Sequence, residues 1–193
     1  MPEGGRIPGR SFIANLDAWN KEDAAVRLID GVVLNWPSVT FSVGANARPI
    51  AEQKLDKLAQ RRDLRELFDA VRAYRDNLAA HPNAPVDQRL KSLIPVINGE
   101  MSLYVLANSY EQISEVVSFA TVQKVKVIIV GGTDSWMVTD LLKEKQIPVI
   151  LAQTMRLPSR TDEPYDLPFS TPAKLQAGGV KFCLSRPGYW DVR

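Results

Sequence analysis

The chain has one histidine and one cysteine among its 193 residues, and that scarcity excludes more than any motif does. A single cysteine cannot close an internal disulfide, and the pair of residues cannot build a zinc-ribbon site. No His-x-His occurs anywhere in the chain. Ser159, Ser170 and Ser185 have no base partner from which a serine triad could be assembled. An excess of charge is missing too: the formal net charge is +2 and neither end carries a basic tail, so no nucleic-acid partner is indicated. No apolar run approaches the roughly 20 residues that a membrane span needs. The start, Met1-Pro2-Glu3-Gly4-Gly5-Arg6, lacks an apolar signal core, so nothing in this chain is expected to export it. Neither Gly-x-Gly-x-x-Gly nor Gly-Lys-Ser/Thr is present, which leaves nucleotide binding without specific support.

What is present reads as a fold. With 45% hydrophobic residues the chain can bury a real core, and its length suits one α/β domain. Residues 1–20 are rich in Gly and Pro and show no period, so they are expected to be irregular; residues 21–193 are expected to form a single domain. Val32–Asn35 reads as a short buried strand ended by Trp36-Pro37. Residues 51–79 predict a long amphipathic helix, with Leu55, Leu58, Leu64, Leu67, Phe68, Val71, Tyr74 and Leu78 on one stripe. Its charged face reads as solvated surface. His81 falls in a Pro-rich loop away from any strand end and reads as a solvated loop residue. Asp87 starts a shorter helix that Pro95 kinks or ends.

From residue 101 the pattern becomes regular. Strand Leu103–Leu106 leads to Ser109 and Gln112, spaced as a capping box before a helix whose inner face is Ile113, Val116, Val117 and Ala120. Strand Val125–Val130 runs into Gly131-Gly132, and Thr133 or Asp134 is placed to cap a helix facing inward through Met137, Val138, Leu141 and Leu142. Strand Pro148–Leu151 opens a long polar loop, Ala152 to Ser170. Thr171-Pro172 then reads as an N-cap followed by proline at the first helical position, Gly178-Gly179 as the helix end, and Val180–Leu184 as the last strand, with Cys183 a buried small hydrophobe. Three successive strand–helix units imply a parallel sheet with right-handed crossovers.

The order and spacing of Leu93–Glu100, Leu103–Asn108, Val127–Thr133, Leu141–Glu144, Ile147–Ile150 and Pro172–Leu175 resemble the later half of a metal-dependent amidohydrolase barrel of the imidazolonepropionase-like group. The resemblance covers about half the chain. It implies an α/β fold whose parallel βα repeats form part of a TIM-like (β/α)8 barrel, with the site at the C-terminal ends of the strands. It also implies hydrolysis of C–N bonds by water activated on zinc or a similar divalent metal. Family ligands on the fifth and sixth strands would fall at Leu106 and Gly131, and Ser185-Arg186-Pro187 stands where an aspartate follows the last strand; Asp191 lies too far on. The resemblance therefore implies the fold, but for this chain alone no metal, no cofactor and no catalytic residue. About five strand candidates, against eight for closure, point to a fragment or a truncated relative that self-associates through its exposed sheet edges.

Two functions are expected to contend. One is a hydrolase relative or fragment acting on C–N bonds, with a site lined by Asn108, Gly131, Gly132, Thr133, Asp134, Gln153, Ser185 and Arg186. The other is a non-catalytic module that binds a small anion, through the amides of Gly131-Gly132-Thr133-Asp134, or serves in assembly. The loop 156–169 suits a lid or a cover over an open end. Asp134, Asp162, Glu163 and Asp166 are the acidic groups that could gather near it, at a spacing that fits no known oxygen-ligand loop. Trp36, Trp136 and Trp190 read as packing residues.

Overall fold

The structure is a computed structural model, and it describes residues 7, 9–14, 25–38, 41–44, 47–81, 84–152, 154–157, 160 and 163–185. The residues group into two compact units. The first holds 1–103 and 120–126, the second 104–119 and 127–193.

In the first unit, β1 (Gly9–Ala14) pairs antiparallel with β2 (Ala25–Asn35), Gly9 opposite Val33. The sequence carries no strand signal over 9–14, and the expectation of an irregular segment is corrected there: it is a strand because it can pair with a much longer β-branched partner. Val32, Val33, Leu34 and Trp36 are buried, as the reading of this stretch requires. Helix α1 (Ile50–Ala80) follows the predicted periodicity in its second half, where Leu64, Phe68 and Val71 are fully buried. Its first half differs. Leu55 and Leu58 are exposed, and Gln53 is the buried residue there, taking the Ser42 amide on Oε1 and donating Nε2 to the carbonyls of Ser42 and Arg48. A side-chain amide that satisfies three backbone groups can be buried at low cost, which fixes the helix rotation locally. Asp87 caps α2 (Gln88–Lys91) through Oδ1, which accepts the amides of Arg89 and Leu90. Pro95 sits in the first turn of a separate helix, α3 (Ile94–Ile97), so the proline divides the predicted helix in two. Arg72 donates to the carbonyl of Gln123 at 2.6 Å and to its side-chain oxygen.

The second unit carries most of the βα repeats. Strand β3 (Ser102–Ala107) leads into α4 (Tyr110–Gln123), whose expected capping box is formed in both directions. The Gln112 amide is 3.3 Å from Ser109 Oγ, and Gln112 Oε1 accepts the amides of Asn108 and Ser109. Strand β4 (Val127–Gly131), a 3₁₀ turn (Ser135–Val138), α5 (Thr139–Glu144), β5 (Val149–Ala152), α6 (Leu167–Ala177) and β6 (Phe182–Ser185) follow. The strands β3 to β6 stand side by side in chain order, and β4–β5 and β5–β6 are parallel. Burial alternates along β3, β4 and β5, so one face is closed by Val105, Ile129, Val149 and Leu151 while Tyr104, Leu106, Ile128, Val130 and Ile150 on the other are half-buried.

Three local expectations are corrected here. Helix α6 starts at Leu167, not after Thr171: Pro168 takes the first turn, Thr171 lies inside and donates its hydroxyl to the carbonyl of Leu167, and Pro172 is tolerated mid-helix. Met137 is exposed because residues 135–138 form a 3₁₀ turn, whose three-residue repeat rotates it off the α-helical face. Cys183 is exposed, since β6 ends the strand order and only β5 flanks it among the described residues. Gly178 and Gly179 end α6 as expected, with Gly179 at φ +72°.

Candidate functional site

The corner after β4 is built from two glycines that the backbone cannot replace cheaply. Gly131 has φ +100° and Gly132 φ +61°. A Cβ on Gly132 would lie 2.6 Å from Cγ1 of Val149, and one on Gly131 would lie 2.2 Å from Oδ1 of Asn108. The turn is fastened by the chain's own carbonyls. The amide of Gly132 donates to Ala107 O at 2.9 Å, that of Asp134 to Asn108 O at 2.9 Å, and that of Ser135 to Gly132 O at 3.0 Å. These three amides are thus engaged, and an incoming anion would have to displace a backbone bond to use any of them. The helical turn that follows is only four residues long, too short to present a helix terminus of any strength.

Asp134 occupies the N-cap position of that turn but does not cap it. Its side chain, 4% exposed, turns to partners elsewhere in the second unit. Oδ2 accepts the amide of Tyr110, one of the otherwise unpaired donors at the start of α4, and a guanidinium N–H of Arg160 at 3.0 Å. An ionised donor outcompetes the weak local amide, which explains why the predicted cap is not made. Oδ1 of Asp134, Oγ of Ser135 and Nε1 of Trp136 are buried without a hydrogen-bond partner among the described residues. Thr133 donates to Oδ1 of Asn108 at 3.3 Å.

Asn108, Gly131, Gly132, Thr133 and Asp134 are therefore brought together, as the sequence predicts. Ser185 is exposed at the end of β6, opposite Ala152 and two strands from β4. Gln153 and Arg186 lie outside the described residues, as do Ser159, Asp162, Trp190 and Asp191. Half-buried Trp136 has the Lys174 ammonium 4.2 Å from its ring centroid, a packing role of the kind expected of it.

Sequence reasoning missed the loop's arginines. Arg156 forms a two-pronged pair with Glu163, Nη2–Oε1 at 2.5 Å and Nη1–Oε2 at 3.1 Å, with the side chains 15% and 1% exposed. The Arg160 amide also reaches Glu163 Oε2 at 3.4 Å. Of the acidic set considered for a metal, Asp134 and Glu163 each hold an arginine, and Asp166 is exposed at the start of α6. The only sequence signal was the mixed charge of the loop, which names no partners. A recess lies between Thr133, Leu151, Thr154, Arg156 and Thr171, and its interior of about 10 Å³ admits little more than a water molecule.

Two of the positions that the resemblance assigns to metal ligands, those on the fifth and sixth strands, are filled by residues without donor atoms in their side chains. Leu106 is half-buried on β3, and Gly131 ends β4. His81 is exposed at the end of α1 with Nδ1 3.1 Å from Asn77 Oδ1, the solvated position expected for it. Among the described residues no three His, Cys, Asp or Glu side chains are grouped to hold a metal ion. No described helix is long and apolar enough to cross a membrane.

No protein-family model and no curated protein matches the chain. Among solved structures it is similar to the crystal structure of an amidohydrolase from Thermotoga maritima MSB8, with a TM-score of 0.72 and 19% sequence identity. The match covers 93% of this chain and 47% of that one, so this chain spans about half the length of its structural neighbour. At that identity the likeness carries the fold: an amidohydrolase-like α/β arrangement of the TIM-barrel kind.

Proposed function

We propose that this chain is an amidohydrolase-like module that does not catalyse as an isolated chain and that acts as a scaffold in an assembly. The observation that carries this reading is the pair Asp134–Arg160. At the strand-end corner, where such folds place their chemistry, the buried acid Asp134 is paired with the protein's own cation, Arg160. Leu106 and Gly131 at the ligand positions support it. The expected anion-binding alternative draws less support, because the amides of Gly132, Asp134 and Ser135 already have backbone acceptors. Self-association belongs to the same reading: β6 ends the strand order, and its Cys183, Leu184 and Ser185 are exposed.

A second reading keeps C–N bond hydrolysis at this corner, with further groups supplied from outside the chain. It is favoured by Oδ1 of Asp134, a buried carboxylate oxygen at the strand ends without a hydrogen-bond partner among the described residues. The test is elemental mass spectrometry of the purified chain after dialysis without chelator, paired with hydrolysis assays on linear and cyclic amides. The expected result is substoichiometric transition metal and no turnover above buffer. Near-stoichiometric zinc or manganese, with amide hydrolysis that chelation removes, would overturn the scaffold reading in favour of the second.

A further inference from the structure

A separate recess lies within the first unit, and it is much larger than the one beside the corner. Its interior measures about 580 Å³, the scale of pockets that hold small organic ligands. Its floor is apolar: Val32 from β2 and Leu93 between α2 and α3 are almost fully buried, and Leu67 from α1 is half-buried. Gly9 of β1 lines it without a side chain, which keeps that wall open. Arg89 and Ser92 stand at the polar side. The Ser92 hydroxyl donates to the Arg89 carbonyl at 2.7 Å, fixing the short turn that carries both residues.

Arg89 is the informative residue. It is exposed, its guanidinium has no ion pair among the described residues, and no described lining residue is acidic. The nearby carboxylate, Asp87, is already engaged by the amides of Arg89 and Leu90. A guanidinium beside an apolar recess asks for an anion attached to an apolar body. One planar fork matches one carboxylate in a two-pronged geometry, whereas a phosphate dianion calls for more donors than Arg89 supplies.

We propose that this recess is a binding site for a small carboxylate with an aliphatic or aromatic tail, the tail lying on Val32, Leu67 and Leu93 and the carboxylate meeting Arg89. The site uses none of the residues of the strand-end corner, so its failure or success is independent of the scaffold reading.

The test is calorimetric titration of the full chain with octanoate and, separately, with octan-1-ol, which has the same tail and no charge. Octanoate is expected to bind one per chain and more tightly than the alcohol. Arg89→Gln should weaken octanoate about tenfold or more, the loss of one charge-assisted contact, and leave the alcohol unchanged. Leu67→Trp, which fills the recess from α1, should abolish both. Melting curves of both variants, compared with the parent, establish that the fold is retained; Arg89 is exposed, so its variant should melt with the parent. No octanoate binding, equal binding of acid and alcohol, or an Arg89→Gln protein that binds octanoate as the parent does would each overturn the proposal.

Discussion

Asp134 and Arg160, 26 positions apart in the chain, meet at 3.0 Å over the end of β4, with the aspartate side chain 4% exposed and the arginine 45%. The asymmetry decides which partner matters. A buried carboxylate without its cation retains a desolvation penalty, while a half-exposed guanidinium released into water does not. Arg160→Ala should therefore destabilise by about 1–2 kcal/mol, a value discounted for the exposure of the arginine. Urea unfolding of the variant checks it, and hydrogen exchange should quicken in the segment around residue 160. A variant as stable as the parent would mean that the pair does not hold the loop down.

Arg156 and Glu163 form the more buried pair, and the expected cost of breaking it is larger. Glu163→Ala leaves the Arg156 guanidinium at 15% exposure without its two-pronged carboxylate, a change on the order of 3 kcal/mol. Replacing both residues together by methionine should restore most of the loss, because two buried charges are removed at once. Thermal unfolding of Arg156→Met, Glu163→Met and the double gives the coupling. Additive losses would show that the two residues contribute separately.

The reciprocal box at the start of α4 makes a smaller and more local claim. Ser109→Ala and Gln112→Ala should each cost about 1 kcal/mol, and the double less than the sum, since each side chain serves the other's turn. Equilibrium unfolding of the three variants checks the order.

Features fixed by neighbours in the chain are legible in the amino-acid sequence alone. The Ser109–Gln112 box, the Gly178-Gly179 stop and the Asp87 cap all depend on residues within a few positions of one another. What is illegible depends on distant partners. Gly9–Ala14 is a strand only because 25–35 pairs with it. Cys183 sits in a run that reads as buried, yet a strand is buried only where another element covers it. Thr171-Pro172 imitates a helix start well, but Pro168 supplies one a turn earlier. At the site, Gly131, Gly132, Thr133 and Asp134 are identifiable from the strand–Gly-Gly–polar pattern. The pairing of Asp134 with Arg160 is not, because a charged loop carries no record of which charge it will meet.

Gly131 and Gly132 allow strain and crowding to be separated. At Gly131 an added Cβ meets the side-chain oxygen of Asn108, an exposed group that can swing aside, so the cost of Gly131→Ala is the backbone's. With φ at +100° that cost should be about 1–2 kcal/mol, and adding Asn108→Ala should recover little of it. At Gly132 the backbone lies at φ +61°, nearer the left-handed minimum, but the added Cβ meets Cγ1 of Val149 at 2.6 Å, and Val149 is 1% exposed in β5. Overpacking a filled core costs about 1–3 kcal/mol beyond the backbone term, so Gly132→Ala should be the more damaging change. Trimming Val149 to alanine should ease the clash at Gly132 without helping Gly131→Ala. Chemical unfolding of these five variants, with Asn108→Ala and Val149→Ala alone as the references, separates the two origins. If Gly131→Ala proved the worse, or if Asn108→Ala rescued it fully, the corner would be governed by side-chain packing and not by the handedness of its backbone.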